Sequence, residues 1–201
     1  MKLEADRILE GIFTNLDKLE YIKSAEIPNI DLYMDQVLTF MNHKLEWSKR
    51  YEDDKIMTKT MINNYAKNHL LPPPDKKKYS KEHILVLIFI YYFKNILSIG
   101  DIQNILNPLT ERYFDNGKDL DLAKIYEEVF TLEKGQIEQL KDSLAKDYER
   151  AGQTFVNEEK ADKDFLQLFS FICMLSYDIY MRKQIIEKII DAMPKAPEIK
   201  N

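Results

Sequence analysis

A single cysteine, Cys173, stands in a chain of 201 residues, so no disulfide can close within it. That fits a reducing compartment. Cys173 lies in an apolar run, and free cysteine is among the most buried residue types, so a core position is expected. Glycine occurs five times and proline seven, three of the prolines in the one run Pro72-Pro73-Pro74. A many-stranded sheet needs glycine or Asn-Gly chemistry at each hairpin, and this supply excludes one. The three histidines, His43, His69 and His83, form no zincin-type pair, and there is no Cys-x-x-Cys. Glu82-His83 lacks the spacing of a helical di-iron ligand pair. A glycine-rich phosphate loop is absent, and Cys173 has no nucleophile motif around it. Acid pairs such as Glu127-Glu128 and Glu158-Glu159 read as solvated helix faces. These absences point away from an enzyme and imply no cofactor or metal.

Long apolar runs are also missing. The longest uncharged one, Ile84 to Phe93, is far short of the roughly 20 residues of a spanning helix. Phe165 to Met181 is longer but holds Gln167, Ser170, Ser176 and Asp178. The N-terminus, Met1-Lys2-Leu3-Glu4-Ala5-Asp6, turns acidic where the apolar part of a signal peptide would begin. The expectation is a cytoplasmic protein without a membrane partner.

What is present is a 45% apolar composition with leucine, isoleucine, lysine and acids at helical spacing. The class read from it is all-α with at most a small hairpin. A first helix is expected from Leu3 to Ile22, with Ile8, Ile12, Leu16 and Leu19 as its stripe. A linker ends at Pro28, and Asp31 is placed as N-cap of a second helix through Leu45, with Met34, Val37, Leu38, Met41 and Leu45 inward. Thr58 starts a short helix to Asn68, Ser80 caps one containing Ile84 to Phe93, and Ser98 caps one that ends before Pro108. Residues 111–164 hold fifteen acids against nine bases. Helices are expected there at 121–132 and 134–151, followed by a long one at 162–192. The composition shift places a soft boundary near 108, dividing 1–107, which carries the candidate binding segment, from an acidic helical region, 108–201.

The segment 57–106 carries the functional signal. Thr60, Asn63, Asn64 and Lys67 fall at i, i+3, i+4 and i+7 and share one helix face, while Ile62, Tyr65 and Ala66 can turn inward. Asparagine can pair bidentately with adenine, and lysine can reach guanine or phosphate. Then follow the prolines and Lys76-Lys77-Lys78-Tyr79. Residues 55–83 hold seven lysines against two acids, a surplus of five positive charges in a chain of net charge −5, so the remainder carries −10. One basic surface on an otherwise acidic protein suits phosphate. A lysine triplet by itself is also ordinary solvated loop.

The stretch Thr58-Lys59-Thr60-Met61-Ile62-Asn63-Asn64-Tyr65, then Leu70-Leu71-Pro72, Lys77-Lys78-Tyr79 and Leu97-Ser98-Ile99-Gly100-Asp101-Ile102 resembles the core of a MerR-family winged helix–turn–helix. The resemblance covers about a quarter of the chain. It implies a second helix entering the major groove, a basic wing ending at Tyr79, and a homodimer. The site residues it implies are Thr58, Lys59, Thr60, Asn63, Asn64, Lys67, Lys76, Lys77, Lys78 and Tyr79. Three departures bear on phosphate contacts and base preference: Asn63 stands where the family has arginine, the wing arginines are lysines, and about ten extra residues, Trp47 to Ile56, separate the two helices. Over most of its length the chain also resembles a bacterial family termed domain of unknown function 1836. The phrases Ile62-Asn63-Asn64-Tyr65 and Lys77-Lys78-Tyr79-Ser80 carry that likeness, which implies no activity.

The last helix is apolar on more than one side: Phe165, Leu168, Phe169, Ile172, Leu175, Ile179, Ile186 and Ile190 on one, and Phe171, Met174, Tyr177, Tyr180 and Met181 on another. All-round hydrophobicity predicts burial on all sides, either by neighbouring helices or by a second copy. Tyr126, Tyr148, Tyr177 and Tyr180 could line an effector pocket, or could be ordinary packing; no effector is named by the sequence. Two functional classes follow: a transcriptional regulator that binds duplex DNA, and a helical protein–protein interaction module that keeps the scaffold without DNA binding. Exposure of Asn63, Asn64, Lys67 and Lys76–Lys78 discriminates them.

Overall fold

The computed structural model describes residues 2–16, 21–117, 119–132 and 135–194. They form eight helices: α1 (Lys2–Leu16), α2 (Met34–Lys44), α3 (Lys59–Lys67), α4 (Lys81–Phe93), α5 (Ile99–Tyr113), α6 (Leu122–Thr131), α7 (Gln136–Gly152) and α8 (Lys160–Ala192). Two short strands, β1 (Leu32–Tyr33) and β2 (Lys78–Tyr79), pair antiparallel, Leu32 with Tyr79 and Tyr33 with Lys78. The described residues are thus all-α with one small strand pair. The chain forms two compact units, Tyr21–Val129 with Ile186–Asn201, and Met1–Glu20 with Phe130–Ile185.

In the first of these units α4 is the axis. Its residues from Ile84 to Tyr91 are all buried, as a helix without a polar face must be. Val37, Met41 and Leu45, four residues apart, put the inner stripe of α2 into the same core, with Ile62 of α3, Ile102 and Leu106 of α5, and Leu122 and Tyr126 of α6. Phe89 and Tyr126 meet edge to face at 5.5 Å, and the buried Tyr126 hydroxyl donates to the Ile22 carbonyl at 2.6 Å. Ile22 therefore enters the core from a non-helical stretch. The first helix, expected to reach it, is described only to Leu16; Leu19 and the side chain of Ile8 lie outside the described residues, and Ile12 is exposed.

Two further boundaries differ from the sequence expectation. Asp31 does not cap α2, because residues 32 and 33 are taken into the strand pair. The Tyr33 N–H donates instead to Gln36 Oε1 at 2.9 Å. α5 continues through Pro108 to Tyr113. An interior proline costs a helix about 3 kcal/mol, and the helix resumes beyond it, the Phe114 N–H donating to the Thr110 carbonyl at 3.0 Å. The Thr110 hydroxyl donates to the Leu106 and Asn107 carbonyls.

In the second unit, α8 docks on α7. Phe171 meets Tyr148 edge to face at 5.4 Å. Gln167 Nε2 donates to the carbonyls of Gly152 (2.7 Å) and Thr154 (2.8 Å), satisfying acceptors that the end of α7 leaves open. This covers one side of α8 only. Burial on all sides was expected, yet Phe165, Phe169, Ile172, Ile179 and Tyr180 are exposed, as is Cys173. Cys173 follows Phe171 by two residues, about 200° around a helix, which turns it away from α7. Of the tyrosines considered as pocket lining, Tyr126 is fully enclosed, whereas Tyr177 and Tyr180 stand open on α8. Among the described residues, no helix is long and apolar enough to cross a membrane.

Candidate nucleic-acid interface

α3 begins as its sequence dictates. Thr58 is the N-cap, its Oγ1 accepting the Met61 N–H at 3.2 Å. Ile62 is buried and fixes the inner side, and Tyr65 is half-buried, its phenol pKa pushed up by burial. Thr60, Asn63, Asn64 and Lys67 are all exposed on the opposite face, with Lys59 exposed at its side. The helix stops in a Schellman motif: His69 takes φ +53°, its N–H donates to the Ala66 carbonyl, and the Leu70 N–H donates to the Tyr65 carbonyl at 2.9 Å. Glycine is usual at that position. Histidine is one of the few side chains enriched there. Leu70 and Leu71 are then buried, anchoring the exit of the helix in the core.

The segment linking α2 to α3 is pinned at both ends. Asn42 Nδ2 donates to the Met57 carbonyl (3.1 Å) and to that of Leu38 (2.7 Å), and its Oδ1 accepts the Met57 N–H (3.2 Å). One amide thus holds the backbone immediately before Thr58. Lys94 Nζ, its pKa lowered by burial, donates to the Ile56 carbonyl at 3.0 Å. At the other end the Tyr91 hydroxyl donates to Ser48 Oγ. The residues Trp47 to Ile56 therefore form a tethered excursion, and Asn42 and Ile62 hold the start and the inner side of α3.

Beyond the prolines the chain makes a tight hairpin. The Lys78 N–H donates to the Asp75 carbonyl at 2.8 Å, and the two residues between, Lys76 and Lys77, have φ of +46° and +67°. Positive φ at both central positions is the type I′ pattern, which normally selects Asn-Gly. For an L-residue with a Cβ the left-handed region costs roughly 1–2 kcal/mol. Here two lysines occupy it, and both side chains are exposed. Lys78 is half-buried, its ammonium 5.4 Å above the ring of Tyr33. Among the described residues Lys59, Lys67, Lys76 and Lys77 take part in no ion pair.

His83 locks the base of this hairpin. It is buried, with Nδ1 accepting the Ser80 N–H at 3.0 Å and the Ser80 hydroxyl at 2.8 Å. With Nδ1 an acceptor, the ring proton sits on Nε2, which faces the Pro73 carbonyl at 3.4 Å. Tyr79 and Phe114 lie edge-on at 5.5 and 4.7 Å. Burial pushes the His83 pKa below its ordinary value, against weaker opposing effects of the Pro73 and Pro72 carbonyls, Asp31 and Asp115.

Of the ten residues read from the sequence, Lys59, Thr60, Asn63, Asn64 and Lys67 on α3, with Lys76 and Lys77 on the hairpin, are open to solvent. Thr58 and Lys78 are half-buried. The Tyr79 side chain is 5% exposed and belongs to the core beside His83. The sequence reading missed Asn42, Tyr33 and His83. Only His83 had a signal: it stands three residues after the N-cap Ser80, the position from which a capping-box side chain reaches back.

No curated protein and no solved structure matches the chain. A family model, Domain of unknown function (DUF1836), matches residues 22–129, more than half of the chain and nearly the whole of the stretch that runs from Ile22 through α6. The chain belongs to the DUF1836 family, and its matched region contains the candidate interface described above.

Proposed function

We propose that this protein is a transcriptional regulator that binds duplex DNA through a MerR-like winged helix–turn–helix, with α3 in the major groove and the Lys76–Lys78 hairpin as the wing on the phosphate backbone. The supporting observation is the pairing of an open polar face on α3 with two solvent-facing lysines held in a left-handed turn. Strain of that kind persists where side-chain identity matters more than local stability. Asn63 and Asn64 are the base-reading candidates, and Lys59, Lys67, Lys76 and Lys77 the phosphate-binding ones. In this reading residues 1–107 carry DNA binding and 108–201 serve dimerisation or an effector. The protein acts in the cytoplasm as a homodimer, with its two reading helices about 34 Å apart.

The test is selection from random duplex DNA at two salt concentrations, beside a variant with Lys76, Lys77 and Lys78 changed to alanine. An enriched sequence is expected, with affinity falling steeply in salt. The salt slope should be shallower in the variant by up to about 0.9 per lost contact. A folded sample that enriches nothing and shows no salt-dependent retention would shift the assignment to a protein–protein interaction module.

A further inference from the structure

Within its own unit, the side of α8 that faces away from α7 has no covering element among the described residues. Phe165, Phe169, Ile172, Ile179 and Tyr180 are 62%, 52%, 52%, 64% and 56% exposed. At about 100° per residue these five, with Cys173 and Ser176, fall within about 120° of one another. Four of them and Ser176 follow the alternating spacing of four and three residues (165, 169, 172, 176, 179) that makes a two-helix seam. Phe165 and Phe169 already stack on each other at 6.4 Å.

Phenylalanine and tyrosine side chains carry about 150–250 Å² each and isoleucine somewhat less, so the open part of the five amounts to roughly 550 Å² on one copy, at the upper end of what monomers leave in one apolar patch. Two such patches face to face bury about 1,100 Å², above the roughly 1,000 Å² that a biological interface must clear. Charge decides what occupant fits. Between Phe165 and Met181 there is one charged residue, Asp178. It lies about 200° from the centre of the face and is paired with Arg182 at 2.8 Å. A face without charge cannot select a partner of opposite sign. It is complementary to itself, as a two-fold interface requires.

We infer that this face of α8 is the homodimer interface of the protein, the occupant being the same face of a second copy. The inference deepens the homodimer in the function proposed above and does not depend on DNA binding.

Sedimentation velocity of the full chain without DNA tests it, with Ile172→Glu and Ile179→Glu measured separately. Wild type is expected as a dimer at micromolar concentration. Each substitution is expected to raise the dimer dissociation constant at least about a hundredfold, because it buries an unpaired carboxylate in the seam. Both positions are exposed in the single chain, so helix content by circular dichroism should stay at the wild-type level. A monomeric wild type overturns the inference. So does a dimer that survives both substitutions, since another surface would then hold it. Wild type that stays monomeric in buffer but floats with neutral phosphatidylcholine vesicles would assign the face to lipid and overturn it equally. Duplex binding by the same samples is scored separately, so failure of the DNA reading remains distinguishable.

Discussion

Replacing Lys76 by asparagine and Lys77 by glycine should make the protein more stable while weakening its hold on DNA. Both lysines have positive φ, +46° and +67°, in a turn whose ends are already joined by the Lys78-to-Asp75 hydrogen bond. Each lysine in that region costs roughly 1–2 kcal/mol. Asparagine tolerates it and glycine is indifferent to it. Glycine returns about 0.5–1 kcal/mol to the unfolded chain as entropy, and asparagine keeps part of the strain. The expected net gain is therefore about 1 kcal/mol, or about 2–4 °C in Tm for a chain of this size. Thermal and urea unfolding followed by circular dichroism would read it. The same double variant removes two cationic contacts and should flatten the salt dependence of duplex binding by up to about 1.8 in slope. A second double variant, Lys76→Gln with Lys77→Gln, removes the charges but keeps Cβ-bearing residues at positive φ. It should lose the same DNA affinity without the gain in stability. If the Asn-Gly variant is no more stable than wild type, the strain reasoning is wrong. If it gains stability and binds DNA with an unchanged slope, the lysines are not phosphate contacts.

Acid should loosen the base of the hairpin. The folded pKa of His83 is depressed by burial, so its contribution is complete above the unfolded value of about 6.5 and is lost as pH falls through the folded value. The neighbouring Glu82 acts in the opposite sense: burial raises its pKa, so the native state takes up that proton first and gains stability as pH falls towards the ordinary carboxylate range. Melting temperature should decline from pH 7 downward in wild type. The decline should be shallower in His83→Gln, which keeps an acceptor for the Ser80 N–H but does not titrate; an equal decline in both would clear His83. Asn42→Leu removes three hydrogen bonds and leaves the part-buried backbone groups of Met57 unpaired. It should cost about 1–3 kcal/mol, measured by urea unfolding. A neutral result would show that water replaces the amide.

Periodicity was sufficient to find α3 and α4. Thr58 and Ser80 stand at their N-caps, and the uniformly apolar stretch Ile84–Tyr91 admits only an enclosed helix. The exposed face of α3 was equally legible, because Ile62 and the polar residues around it obey one helical period. Scarcity of glycine and proline settled the all-α class, and the family likeness in the 62–80 phrases agrees with the matched region.

Non-local pairing decided the rest. Residues 32–33 leave helix for strand only because residues 78–79 arrive beside them. Tyr79 reads as a basic-wing residue in sequence, but period-two alternation turns it inward against His83 while Lys78 lies over Tyr33. Cys173 and its apolar neighbours on α8 show the same limit. Sequence states that a side chain is hydrophobic, whereas whether anything covers it depends on where the other helices go. Local chemistry therefore fixed which segments are helical and which face of α3 is polar. Tertiary structure alone decided the strand pair and the open face of α8, because each depends on where residues far apart in the chain come to lie.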